Sequence, residues 1–279
     1  MPSHAEKRAA FRALHEKGEA FLMPNPHDVG TALILQGLGF KAIATTSWGF
    51  AFAQGVGDVM GLVSRDMALA HAQEIVANTD IPVNGDLENG FGDAPEDVAE
   101  TIRGAIEVGL AGCSIEDLSQ TPEGGFYAFD HAVERIRAGV AARKALAADF
   151  VLTARAEAPI RSDEDLDETI RRLRAYAEAG ADLVYAPLLT KREHIGRVLR
   201  EVPAKLNFLG GRAGLSYSLA ELSVLGVTRV SIGAGLSRVA FGAFYTAAQA
   251  LAETGDLGLF SDVAGAREIG RFMRGREQA

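Results

Sequence analysis

Along this chain, short apolar runs rich in β-branched residues alternate with longer stretches in which apolar positions recur every three or four residues. Eight runs read as strands: "AFLMPN", "AIATTS", "IPVNGD", "GCSIED", "FVLTAR", "DLVYAP", "KLNFLG" and "TRVSIG". The intervening segments, such as Ala94 to Val108, Ala132 to Ala147 and Asp165 to Glu178, have helical spacing, and Gly109, Gly180 and Gly226 stand where helices would end. The phrase "AGADLV" returns as "LGFKAI", "VGLAGC" and "LGVTRV", each a helix end, a turn and a strand start.

Alternating strands and helices call for a parallel sheet. Eight units in 279 residues, somewhat above the ~250 typical of the fold, predict one closed (β/α)₈ TIM barrel over residues 1–279, with no linker to divide it. A doubly wound open sheet is the competing architecture. In a barrel, reactive groups gather where strands end and the following loops begin. That layer reads Asn25, Thr46, Ser47, Asp86, Glu116, Arg155, Asn207 and Ser231. Three of these carry charge, and Glu88 adds a further acid just beyond Asp86.

Composition narrows the partners. A net charge of −9 and a pI near 5.2 argue against a nucleic-acid or anionic-membrane surface. The densest basic run, "RRLRAY", follows the acidic "SDEDLDE" and reads as a paired helix face. No run of about 18 uncharged apolar residues appears, so no membrane span is expected. The N-terminus is charged throughout, unlike a secretory signal. The single cysteine, Cys113, excludes an internal disulfide and a cysteine zinc cluster, and makes a reducing cytoplasm the expected compartment.

The acids suggest chemistry. Asp86, Glu88 and Glu116 offer hard oxygen ligands without sulfur or a zinc-spaced histidine pair, which selects Mg²⁺ or Mn²⁺ over zinc. Asp58, in "QGVGDVMG", can join that shell. Arg155 sits in an apolar strand, where its planar fork would either pair with Glu157 or Glu116 or grip a substrate carboxylate or phosphonate. Thr46, Ser47, Trp48 and Gly49 read as a small polar loop able to hold a second anionic group. The implied ligand is small and multiply acidic. Further candidates are His27 at the rim, Tyr185 as a proton donor, and a lid around Gly124 and Gly125. Asp28 has helix-cap spacing.

The ordered set "TTSWGFA", Asp58, "GDLENGFGD", "GCSIEDL", "LTARAEA", "AGADLVYAP" and "LNFLGG" resembles the isocitrate lyase and phosphoenolpyruvate mutase superfamily over nearly the whole chain. The resemblance implies a (β/α)₈ barrel, a homotetramer with the last helices exchanged between subunits, and Mg²⁺ bound with a 2-oxo acid. It implies C–C or P–C chemistry through an enolate. By position, Asp86, Glu88 and Glu116 match the metal-shell acids and Asp58 the loop aspartate. Arg155 matches the substrate arginine and Asn207 the asparagine of the seventh strand. The chain departs from the family after the fourth strand. "DLSQTPEGGFYAFD" there lacks both the lysine-cysteine-glycine-histidine motif of the lyases and the lysine and asparagine of the mutases.

The expectation is therefore a Mg²⁺-dependent lyase acting on a 2-oxo or 2-hydroxy dicarboxylate, including decarboxylation of oxaloacetate. Action on a P–C bond is the alternative. A non-catalytic oxo-acid sensor and a phosphate-binding barrel of another family are the readings from other classes.

Overall fold

The computed structural model describes residues 1–57, 61–119, 125–212, 214–260 and 265–273. Its strands are β1 (Phe21–Met23), β2 (Ile43–Ala44), β3 (Val83–Asp86), β4 (Gly112–Glu116), β5 (Val151–Arg155), β6 (Leu183–Tyr185), β7 (Lys205–Leu209) and β8 (Arg229–Ser231). All pair in parallel in the order β1-β8-β7-β6-β5-β4-β3-β2. Between β1 and β2 the ring is joined by Ala44 N–H donating to the Pro24 carbonyl at 3.0 Å. The result is a nearly closed (β/α)₈ barrel.

Helices follow the strands: α1 (His4–His15) precedes β1, and α2 (Val29–Gly37) leads to β2. Two helices, α3 (Ser47–Ala53) and α4 (Arg65–Asn78), lie between β2 and β3. The middle units carry α5 (Pro95–Glu107), α6 (Phe129–Leu146) and α7 (Asp163–Ala179). The later ones carry α8 (Arg192–Glu201), α9 (Leu219–Leu225), α10 (Gly235–Thr254) and the short α11 (Ala266–Gly270).

Local chemistry sets the helix boundaries. Ser3, Asp28, Thr46, Ser64, Ser162 and Ser218 cap helix starts with side-chain oxygens, each accepting from an orphan N–H of the first turn. Gly180 and Gly226 close α7 and α9 with φ of 104°, a left-handed conformation costly for residues with a Cβ. Strand residues such as Val83, Ile115, Leu152, Val184 and Leu206 are buried against these helices. Cys113 is fully buried among them, and burial pushes its thiol pKa far up.

The expected ion pairing of the basic run holds. Arg171 pairs with Glu168, Arg172 with Asp117 and Glu168, and Arg174 with Glu201. Helix α10 spans 20 residues, yet only Ser237 on it is buried while Val239, Phe244 and Tyr245 are 68%, 74% and 66% exposed. Among the described residues, no helix is long and apolar enough to cross a membrane.

Register places the polar layer. Glu116 pairs with Arg155, Arg155 with Tyr185, Tyr185 with Asn207, and Asn207 with Arg229. Register partners share a face of the sheet. Because barrel strands are tilted, this line of side chains descends through the barrel from the end of β4 to the start of β8.

Candidate active site

Asp86 ends β3, and both of its carboxylate oxygens are engaged. Oδ2 accepts from Ser47 N–H and Oγ–H, each at 3.1 Å, while Oδ1 accepts from Arg155 at 2.7 Å and Ser114 at 3.4 Å. Ser47 thus orients Asp86. Thr46 to Gly49 is not the polar loop expected from sequence. Thr46 caps α3 through Gly49 N–H at 3.3 Å, and Ser47, Trp48 and Gly49 form its first turn. The apolar run "FAFA" drives that helix, burying Phe50 and Ala51. Gly49 is required sterically, since a Cβ would press on Ser237, Thr46 and His27.

The segment after β3 is held in an unusual shape. Glu88 and Phe91 have φ of 47° and 58°, beside Gly90 at 95°. Such non-glycine conformations persist only where surroundings over-determine them. Here the fully buried guanidinium of Arg135 donates to the carbonyls of Asn89, Gly92 (2.8 Å) and Ala94 (3.3 Å). Glu116 N–H also binds the Glu88 carbonyl at 2.9 Å. Gly92 serves for space rather than for a positive φ, because a Cβ there would collide with the Asp97 carboxylate.

Arg155 is the hub. It reaches Asp86 at 2.7 Å, Glu116 at 3.1 Å and Glu157 at 2.8 Å, with its own side chain 14% exposed. Burial alone would lower its pKa, but the carboxylates of Glu157, Glu116 and Asp86 more than offset that and keep it charged. Burial raises Glu116 well above the usual carboxylate value. Arg155 opposes that rise, while Glu157, Asp86 and Glu88 add to it. Glu157 is held by its own N–H on Asp117 at 2.9 Å, and Asp117 is fixed by Arg172 at 3.1 Å and Tyr176 at 2.7 Å.

Inside the rim lies a cavity of about 170 Å³, lined by Thr46, Ser47, Trp48, Asp86, Arg155 and Asn207, and also by Tyr185, Ser231 and Arg229. At ~30 Å³ per water, it suits a compact molecule. Glu88 and Asp86 also face a smaller space beside Phe50 and His71, so Glu88 approaches Asp86 from the α3 and α4 side. Asp58 lies outside the described residues, as does Gly124. Gly125 is described with φ of 99°, next to the bridge between Leu118 and Phe126. His27 stands back from the cavity, 3.3 Å from Ser237 Oγ and 5.6 Å from the Phe241 ring. Asp28 caps α2 as its spacing suggested.

The donor set fits magnesium better than zinc, because Asp86, Glu88 and Glu116 supply oxygen alone. Among the described residues, no three acidic, histidine or cysteine side chains converge on one point. Magnesium usually takes one or two carboxylates directly and others through water, so this spread is compatible with it. Sequence reading missed Arg229, Ser114 and Asn84 as cavity residues. Arg229 gave the same signal as Arg155, an arginine inside an apolar strand.

Comparison with known proteins agrees with this architecture. The family model for phosphoenolpyruvate phosphomutase matches residues 11–252. The 2,3-dimethylmalate lyase of Eubacterium barkeri is 32% identical over 228 residues, covering 78% of this chain and 76% of that one. A crystal structure from Burkholderia cenocepacia J2315, described only as a candidate lyase/mutase, has 47% identity and a TM-score of 0.91, covering 96% of each chain. A phosphonopyruvate hydrolase solved with oxalate and Mg²⁺ shares the fold at 24% identity and a TM-score of 0.84, covering 95% of this chain and 94% of its own. The chain belongs to the isocitrate lyase/phosphoenolpyruvate mutase superfamily, whose members are enzymes that include carbon–carbon lyases.

Proposed function

We propose that this protein is a magnesium-dependent carbon–carbon lyase acting on a small 2-oxo or 2-hydroxy dicarboxylate, by cleavage or decarboxylation through an enolate. The observation that carries the reading is the clustering of Asp86, Glu116 and Arg155 on adjacent strands above a compact polar cavity. Asp86, Glu88 and Glu116 would hold Mg²⁺ (or Mn²⁺), with Asp58 as a further member of that shell. When bound, the ion supplies an electrophile that stabilises negative charge on the oxo oxygen.

The protein's own residues do the rest. Arg155 presents a charged guanidinium to a substrate carboxylate, and Glu116 and Glu157 keep that guanidinium in place. Asn207 and the first turn of α3, Thr46 to Gly49, form the opposite walls and orient the substrate. The limited volume excludes bulk water from the carbanion. The partner is thus a small anionic molecule, with no nucleic acid or membrane. The exposed apolar face of α10 supports a homotetramer that exchanges its last helices, and the single buried cysteine supports a cytoplasmic setting.

Action on a P–C bond, by a mutase or hydrolase, is the second reading, favoured by the name of the matching family model. A proton NMR screen with Mg²⁺ separates the two. The panel is oxaloacetate, isocitrate, methylisocitrate, dimethylmalate, phosphonopyruvate and phosphoenolpyruvate, each with wild type and Asp86→Ala. Pyruvate or glyoxylate formed from a dicarboxylate by wild type alone is the expected result. Turnover of phosphonopyruvate alone would move the assignment to P–C chemistry, and equal turnover by Asp86→Ala would refute the site.

A further inference from the structure

The lower part of the cavity contains a cation without an anionic partner. Arg229 is 1% exposed, and burial lowers its pKa, so its charge is held against a desolvation penalty. The guanidinium meets neutral groups. Nε donates to Asn207 Oδ1 at 2.7 Å, Nη2 donates to Thr153 Oγ1 at 2.8 Å, and Nη1 faces His15 Nε2 at 3.3 Å. His15 can accept there because its Nδ1 faces the Phe11 carbonyl at 2.8 Å and so carries the ring proton. Burial, reinforced by Arg229, lowers the His15 pKa to about 3 and keeps the ring neutral. Among the described residues, no carboxylate forms an ion pair with Arg229.

The group that meets Nε is an amide, where an aspartate of the same size would supply the missing counter-ion. Arginine has no lone pair to offer, so Asn207 must turn its oxygen toward Arg229 and its NH₂ away. One of the two NH₂ protons goes to Ser231 Oγ at 3.0 Å. Among the described residues, no other group accepts from that nitrogen, and Asn207 lines the cavity. The second proton is therefore left for an acceptor inside the cavity. Without Arg229 beneath it, the amide could turn over and present its oxygen there instead, because its two ends are nearly equal in size.

We propose that Arg229 is a positioning residue for anion binding, which holds the Asn207 amide so that β7 meets the cavity with a hydrogen-bond donor and selects ligands that bring a carboxylate oxygen to that wall. The assignment rests on the reading of this cavity as the site of a small anion. It explains why the buried cation lacks a counter-ion. A carboxylate at position 207 would pair with Arg229, but it would offer the cavity only acceptors and repel an anionic ligand. Stability is given up here for recognition.

Titration of oxalate into the protein with Mg²⁺, followed by calorimetry, reads the wall, and thermal unfolding without oxalate reads the fold. Wild type is expected to bind. Asn207→Asp should weaken oxalate about 100-fold while its thermal midpoint stays level or rises, because the new carboxylate pairs with Arg229 and Ser231 can rotate its hydroxyl to donate. A merely structural asparagine would give the opposite pattern, a lower midpoint with binding retained. Arg229→Met should weaken oxalate about tenfold, and Arg229→Lys, which also only donates, should recover part of that loss. If Arg229→Met fails to fold, Asn207→Asp decides the case alone. Oxalate affinity of Asn207→Asp within about twofold of wild type would overturn the donor assignment. A midpoint lowered by more than about 5 °C in Asn207→Asp would overturn the account of the missing counter-ion. Arg229→Met binding as tightly as wild type would overturn the positioning role and leave the lyase reading standing. A wild type that does not bind oxalate would remove the anion-site reading and this inference with it.

Discussion

Replacing Arg155 by methionine removes the charge at the rim and keeps most of the aliphatic stem. In the native protein this guanidinium lies 2.7–3.1 Å from Asp86, Glu116 and Glu157, and the four side chains are only 9–18% exposed. Breaking a buried ion pair costs about 3–5 kcal/mol, because the remaining charge stays desolvated. Three acids lose one cation here, so the loss should lie in that range wherever all three stay ionised. The acids can escape it by binding protons. Burial already raises Glu116 and Glu157 above the ordinary value of 4.5, against the opposing pull of Arg155.

Without that pull, both folded-state pKa values climb further. A carboxylate raised in the folded state contributes stability that is fully present below its unfolded pKa and is lost as pH rises through its folded pKa. The penalty of Arg155→Met should therefore be smallest where the acids are protonated and grow as pH rises through the native Glu116 value of about 8. Urea unfolding at fixed protein concentration measures this. The expected result is a loss of about 3–5 kcal/mol at about pH 9.5, falling to roughly half or less near pH 6. A loss that does not vary with pH, or one below about 1 kcal/mol at about pH 9.5, would refute the buried-hub account.

Other expectations concern the surroundings. Gly92→Ala should cost about 1–3 kcal/mol by displacing Asp97, which accepts from Ala94 N–H at 2.9 Å at the start of α5; unchanged thermal stability would contradict it. Cys113 should resist thiol reagents in the native protein and react on unfolding, as burial raises its pKa; rapid native labelling would count against the packed β4. Phe244→Glu with Tyr245→Glu should reduce the assembly mass by light scattering, since both side chains are exposed on α10. An unchanged mass would exclude that face from the interface.

The strands were readable because each carries apolar residues buried against the helices, such as Ile115, Leu152, Val184 and Leu206, in short runs between helical stretches. The helix ends were readable because Gly180 and Gly226 occupy conformations that disfavour a Cβ. Thr46 to Gly49 were misread because the polar residues preceding "FAFA" suggested a loop, whereas Thr46 is the helix cap. The three-way grip of Arg155 could be only half foreseen. Glu157 and Glu116 are near in sequence or strand order, but Asp86 comes into reach through barrel curvature. Arg229 escaped notice because tilt, which no local pattern encodes, sets the start of β8 beside Asn207 in the middle of β7.

The register line divides the barrel into two chemical halves. Strands β3 to β5 bear acids and the Arg155 guanidinium, which hold one another in place, while β6 to β8 meet the cavity with an amide, a hydroxyl and a phenol and, deeper, with the Arg229 guanidinium held by neutral groups. A substitution in the first half must be matched by its charged neighbours. One in the second half, Arg229 apart, changes only a neutral group. Evolution of new substrate preferences should therefore run through β6 to β8 and leave the electrostatic half unaltered, giving related enzymes a shared engine with interchangeable recognition.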